Sequence, residues 1–121
     1  MNTLGSRSFF ALSVLRALVT VVDEIEQLRD EAWIGDAVLA LFVRNWLLNV
    51  TGRETSLAER TAVFEMFASN RFLSNLGEPT RVEAEIGRLY QSDGLSAAFV
   101  FIEKKFLKRF LHTARKKGHR V

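Results

Sequence analysis

Apolar residues along this 121-residue chain recur at three- and four-residue spacing instead of alternating, which predicts helices throughout and no strands. The first helix is expected over about residues 7–29. A second runs from about Glu31 to Val50, with Trp33, Ala37, Leu41 and Leu48 on its inner side, and Thr51-Gly52-Arg53 closes it. Ser56-Leu57-Ala58-Glu59 has the capping-box pattern, so a third helix starts there and runs towards Met66. Ala68 to Leu76 forms a fourth, ended by Gly77. Pro79 suits the first turn of a fifth helix reaching about Gln91. Asp93-Gly94 makes a turn, and a last amphipathic helix runs from Leu95 into the C-terminal tail. The expected fold is all-α, one domain of about six helices over residues 1–121.

The most apolar stretch, Phe9 to Val22, is too short to span a bilayer and carries Arg16 in its middle. It also lacks the uninterrupted apolar centre and small-residue cleavage site of a secretory leader. The expectation is a buried N-terminal helix in a cytoplasmic protein that makes no use of a membrane. Hydrophobic residues at 48% and charged residues at 26% suit a globular chain of this length, with enough core to fold without staples. The absence of cysteine excludes disulfides, thiolate zinc sites and cysteine nucleophiles.

Charge changes the picture more than composition does. Residues 103–121 hold eight Lys+Arg against Glu103 alone, a net +7, and contain every lysine of the chain. Residues 1–102 hold nine Lys+Arg against 13 acids, a net −4. A basic arm beside an acidic body suits a polyanion such as RNA, and a solubilising helix end accounts for the same charges. Phe64, Phe67, Phe72, Phe99, Phe106 and Phe110 recur at helical spacing and belong to a core or an interface, not to a base-stacking platform. His112 and His119 have no acidic or serine partner pattern and read as tail residues.

Candidate chemistry centres on Asp36, an acid inside the apolar run Trp33-Ile34-Gly35-Asp36-Ala37-Val38-Leu39. Such a carboxylate is costly unless it is paired, exposed or bound to a cation. Gly35 beside it sacrifices roughly 1 kcal/mol of helix propensity, which points to close approach by another backbone. Glu83 and Gly87 lie four apart on one face of a later helix, so two carboxylates, each beside a small residue, could converge on one hard cation. Taken by themselves, acids of this kind are more often structural than metal ligands.

This run resembles the signature helix of the ribonuclease III domain family, whose pattern reads roughly LEFLGDAVL. Ala68-Ser69-Asn70-Arg71-Phe72-Leu73-Ser74-Asn75-Leu76-Gly77 is similar to the family's VSNEFLARLG helix. Val82-Glu83-Ala84-Glu85-Ile86-Gly87-Arg88-Leu89-Tyr90, then Asp93-Gly94-Leu95, resembles its second signature, FEALIGAIYLDGG. The ordered matches cover most of residues 29–102, and residues 103–121 form a basic tail beyond them.

The resemblance implies a homodimeric endoribonuclease that cleaves double-stranded or structured RNA, by family analogy in ribosomal RNA maturation. It implies Mg²⁺, or Mn²⁺, held by Asp36 and Glu83 as the catalytic and metal-binding acids. Two further family acids fall on Ala32, with Glu31 one residue out of register, and on Thr80. The Mini-III branch, which lacks the double-stranded-RNA-binding domain, has Ala and Thr there too, and Phe42-Val43-Arg44 with Leu47-Leu48 resembles its signature helix. The family's basic insertion after Gly77 is missing, so the phosphate grip would fall to Lys104, Lys108, Arg115 and Lys116, with Arg44 and Arg81 lining the same valley. Glu85 replaces a usual leucine. A degenerate domain that binds RNA or the ribosome without cutting, and an unrelated helical interaction module, are the alternatives.

Overall fold

The structure is a computed structural model describing the backbone of residues 3–51 and 55–119, and side chains from residue 8 onwards. Among the described residues it is all-helical. The helices are α1 (Thr3–Val50), α2 (Leu57–Phe67), α3 (Asn70–Leu73), α4 (Pro79–Asp93), α5 (Leu95–Ile102) and α6 (Lys108–Lys116), with a π-helical turn at Glu103–Leu107 between the last two. The final three segments form one continuous rod, so four rods and the single turn of α3 make up the domain. Among the described residues, no helix is long and apolar enough to cross a membrane.

The two helices expected before Val50 are one helix of 48 residues, about 72 Å long. Nothing between Leu28 and Ala32 stops it, since no glycine or proline intervenes and the Gln27 amide donates to Glu31 Oε1 across one turn (3.0 Å). Its expected closure at Thr51-Gly52-Arg53 falls partly outside the described residues. Thr51 itself is described, with its hydroxyl donating to Leu47 O and accepting from Arg60 Nε. The helix expected over Ala68 to Leu76 shrinks to α3, which Ser69 caps by accepting from Phe72 N (3.1 Å). Other stops fall where the residues imply. Ser56 Oγ accepts from Glu59 N at the start of α2, and Glu78 caps α4 ahead of Pro79 through the amides of Thr80 and Arg81. Gly94, at φ 93°, takes the left-handed turn between α4 and α5.

The core lies between the C-terminal half of α1, α4 and the final rod. Ala32, Gly35, Leu39, Phe42, Val43 and Leu47 make one buried stripe at helical spacing. Phe67, Phe72 and Phe110 form a ring cluster with centroids 4.1–5.5 Å apart, and Trp46 meets Phe110 edge-on at 5.7 Å. Each fully buried Phe, Leu, Ile or Val contributes about 1.5–3 kcal/mol of transfer free energy.

Two orientations differ from expectation. Trp33, Ala37, Leu41 and Leu48 form the outer side of α1, not the inner one, and Trp33 is 77% exposed. The buried stripe is displaced around the helix because the glycine, not the largest apolar residue, sets the line of contact with α4. The apolar N-terminal half of α1 is also not buried, and every residue from Ser8 to Gln27 is exposed. Glu31 lies under Gly87 and Gly35 under Glu83, so α1 and α4 run antiparallel. In that register α4 ends at Asp93, level with about Ile25, and no other described element covers what precedes it.

Candidate active site

Two glycines build the site. A Cβ on Gly35 would lie 1.7 Å from Glu83 O, and one on Gly87 would lie 1.9 Å from Glu31 O. The two backbones therefore touch where α1 and α4 cross, as the helix-weakening Gly35 implied. Asp36 follows Gly35 on one helix, and Glu83 supplies the carbonyl beneath that glycine from the other. Their carboxyl groups lie within electrostatic reach of each other.

Glu83 is half-buried beside the exposed Asp36, and burial disfavours its charged form. Burial and the charges of Asp36 and Glu78 push the Glu83 carboxyl up to about 7. Glu78 is the α4 cap, held below the usual carboxylate range by the amides of Thr80 and Arg81. The crossing thus places Glu83 within electrostatic reach of both Asp36 and Glu78. Among the described residues, no three His, Asp or Glu side chains gather in a set that could hold a metal ion by themselves.

The two further positions where the resemblance would expect acids have none to add. Ala32 is buried in the α1–α4 seam, and Thr80 is half-buried in the first turn of α4. Glu31 cannot substitute. It lies roughly 140° around the helix from Asp36, and it is 6% exposed beneath Arg88. Arg88 donates to Glu31 Oε2 at 2.8 and 3.2 Å, which together with Gln27 holds Glu31 below the usual carboxylate range. This clamp joins α1 to α4 one turn from the glycine contact. Residues 57 positions apart leave no local signal in the sequence; Glu78 did leave one, an acid directly before a helix-starting proline. Glu85, the acid in a usual leucine position, faces solvent and pairs with Lys105 at 3.2 Å.

The basic candidates divide into separate places. Arg44 stacks over the Phe64 ring (4.4 Å) and lines a groove of about 430 Å³ between α1 and α2 with Leu47, Leu48 and Leu57. Arg81 is exposed in the first turn of α4, two residues before Glu83. Lys104 is exposed on the π-helical turn. Lys108, Arg115 and Lys116 share one surface of α6 with Leu111 and His112. None of the five best-formed grooves is lined by Asp36 or Glu83. No protein-family model matches the chain, and neither a curated protein nor a solved structure is significantly similar to it.

Proposed function

We propose that this protein is a metal-dependent endoribonuclease of the ribonuclease III type, with Asp36 and Glu83 as its catalytic and metal-binding acids. The observation that carries the reading is the backbone contact of Gly35 with Glu83, which brings together the same two acids that the motif resemblance singles out. They fit a hard divalent cation such as Mg²⁺ or Mn²⁺. The donors are all oxygen, they project from two helices held at a backbone contact, and Asp36 is open to the water that would fill the remaining positions. The chemistry such an ion supplies when bound is Lewis acidity towards a phosphodiester oxygen and a lowered pKa for a bound water.

The chain's own residues do the rest. Gly35 and Gly87 fix the separation of the carboxylates, because neither helix can rise from the other without losing the seam. Glu83 must release its proton before it can bind a cation, so cation affinity rises as the pH passes about 7. Glu78 adds negative charge that favours a cation at the pair.

Double-stranded or structured RNA is the substrate in this reading, a ribosomal RNA precursor in the cytoplasm being one candidate. It would be recognised through A-form shape, phosphates and 2′-hydroxyls. Lys104, Lys108, Arg115 and Lys116 supply phosphate contacts from the final rod, with Arg44 and Arg81 nearer the pair. A homodimer would let each subunit cut one strand of the two-fold duplex. The exposed stripe of Trp33, Ala37 and Leu41 beside Asp36 is the surface for that second subunit.

The test is cleavage of long double-stranded RNA by the purified protein, with Mg²⁺ or with chelator, alongside Asp36→Asn and Glu83→Gln. Metal-dependent cutting by the wild type, lost at least about 10³-fold in both variants, is the expected outcome. Salt-sensitive RNA binding without cutting by any version would move the protein to a second reading, a degenerate domain that only binds. The basic surface that Lys108, Arg115 and Lys116 form on α6 is what favours that alternative.

A further inference from the structure

Two adjoining grooves on α6 share His112 and Lys116. The larger, of about 620 Å³, lies between α3 and α6. Met66 and the buried Phe72 line it, and its cations are Arg71, Lys116 and Lys117. The other, against Leu111, adds Lys108 and Arg115. Among the described residues, no acid lines either groove. The run of basic residues in the tail does not by itself account for this, because Arg71 comes from α3. The α3 wall is also held in place. Arg109 donates to Asn75 O (2.8 Å), and Phe72 meets Phe110 edge-on with centroids 5.5 Å apart.

Neutral groups in the larger groove say which polyanion fits. Ser74 Oγ donates to Arg71 O (2.8 Å), and Thr113 Oγ1 donates to Arg109 O (3.1 Å). Each hydroxyl has its one hydrogen committed inside the chain, so it offers the groove acceptor lone pairs. A phosphodiester has no hydrogen to give them. A ribose 2′-hydroxyl does, and every RNA phosphate has one beside it.

We propose that the groove between α3 and α6 is a ribose–phosphate site, in which Arg71, Lys116 and Lys117 take backbone phosphates of RNA while Ser74 and Thr113 accept hydrogen bonds from adjacent 2′-hydroxyls. The site rests on the proposed function for RNA as the ligand, but not for cleavage, and it adds selection of RNA over DNA. Lys108 and Lys116 lie about 12 Å apart along α6, so the two grooves together span successive phosphates of one strand. A lipid surface is a poorer match, because Phe110 and Ala114 on the apolar side of α6 are buried and cannot insert. An acidic peptide supplies carboxylates without a hydroxyl beside each charge.

The experiment measures binding of the full chain to an RNA duplex of about 20 base pairs and to the DNA duplex of the same sequence. It is run in chelator across a salt series, so cutting plays no part. RNA should bind tighter than DNA by about tenfold or more. Arg71→Gln/Lys117→Gln should weaken RNA binding at least about tenfold and reduce the salt slope by about 2. Arg16→Gln/Arg29→Gln removes the same charge from exposed positions on α1 and should leave binding within about twofold. Ser74→Ala/Thr113→Val should bring the RNA affinity down towards that for DNA, with DNA binding unchanged.

Equal affinity for the two duplexes, or an equal loss in the α1 variant, overturns the proposal. Displacement of RNA by polyglutamate at matched charge concentration, as effective as by unlabelled RNA, would assign the groove to acidic proteins and overturn it too. Cleavage by the same proteins in Mg²⁺ separates this site from the nuclease reading. Groove-dependent binding without cutting by the wild type keeps the site and removes the nuclease. Cutting and RNA affinity both undiminished in Arg71→Gln/Lys117→Gln keep the nuclease and remove the site.

Discussion

The two halves of α1 share one unbroken backbone and a similar supply of Leu, Val, Ala and aromatic residues, yet only the C-terminal half is buried. Hydrophobicity does not separate them. What does is Gly35 with its counterpart Gly87, which lets α4 come down to backbone contact and fixes which stripe faces inward. Beyond about Ile25 there is no α4 left to dock, and equally apolar residues stay in water. Burial is thus a property of the pair of surfaces, and a helix can be highly apolar without any partner inside its own chain.

The sharpest way to break this contrast is to add one methyl group at the crossing. Gly35→Ala or Gly87→Ala places a Cβ inside a neighbouring peptide group, and the helices must separate. A loss of about 3 kcal/mol or more in denaturant unfolding is expected and, on the proposed nuclease reading, loss of cleavage as the carboxylates part. Full stability in either alanine variant would remove the glycine contact as the reason for the asymmetry.

Truncation should then show the two halves responding differently. Leu39→Ala, in the buried half, is expected to cost about 2–3 kcal/mol. Leu18→Ala, in the exposed half, should change stability by no more than about 0.5 kcal/mol. Amide exchange offers a parallel check. Residues 31–47 should exchange only through global unfolding, whereas residues 8–25 should exchange rapidly.

The clamp on the buried half predicts a smaller effect. Arg88→Ala leaves the Glu31 carboxylate beneath α4 with Gln27 alone, and a loss of about 1 kcal/mol is expected. Glu31 is held below the usual carboxylate range, so the clamp's contribution is complete above about pH 4.5. It disappears as the pH falls through the folded-state value.

Glu83 works in the opposite sense. The folded protein binds its proton up to about pH 7 while the unfolded chain releases it near 4.5, so stability falls as the pH rises between these values. With half the side chain in solvent, screening reduces the effect to the order of 1 kcal/mol or less. Glu83→Gln should flatten this slope in pH-resolved thermal unfolding, and saturating Mg²⁺ should oppose it in the wild type. A slope that survives in Glu83→Gln would assign the titration to another group.

Much of this was legible in the sequence because it is local. Helical periodicity, the Ser56 cap, Pro79 at a helix start and the Gly94 turn each follow from a few neighbouring residues, and each lies where those residues imply. Gly35 announced a close approach, and Asp36 and Glu83 announced themselves as acids in apolar company. The tertiary structure decided what required two distant segments to meet. It turned Trp33 outward, placed Glu31 under Arg88, set Glu83 against Asp36 and left the apolar N-terminal half of α1 uncovered. Periodicity records that a helix has an apolar side. Which side is buried, and by what, depends on where a second helix lies and where it ends.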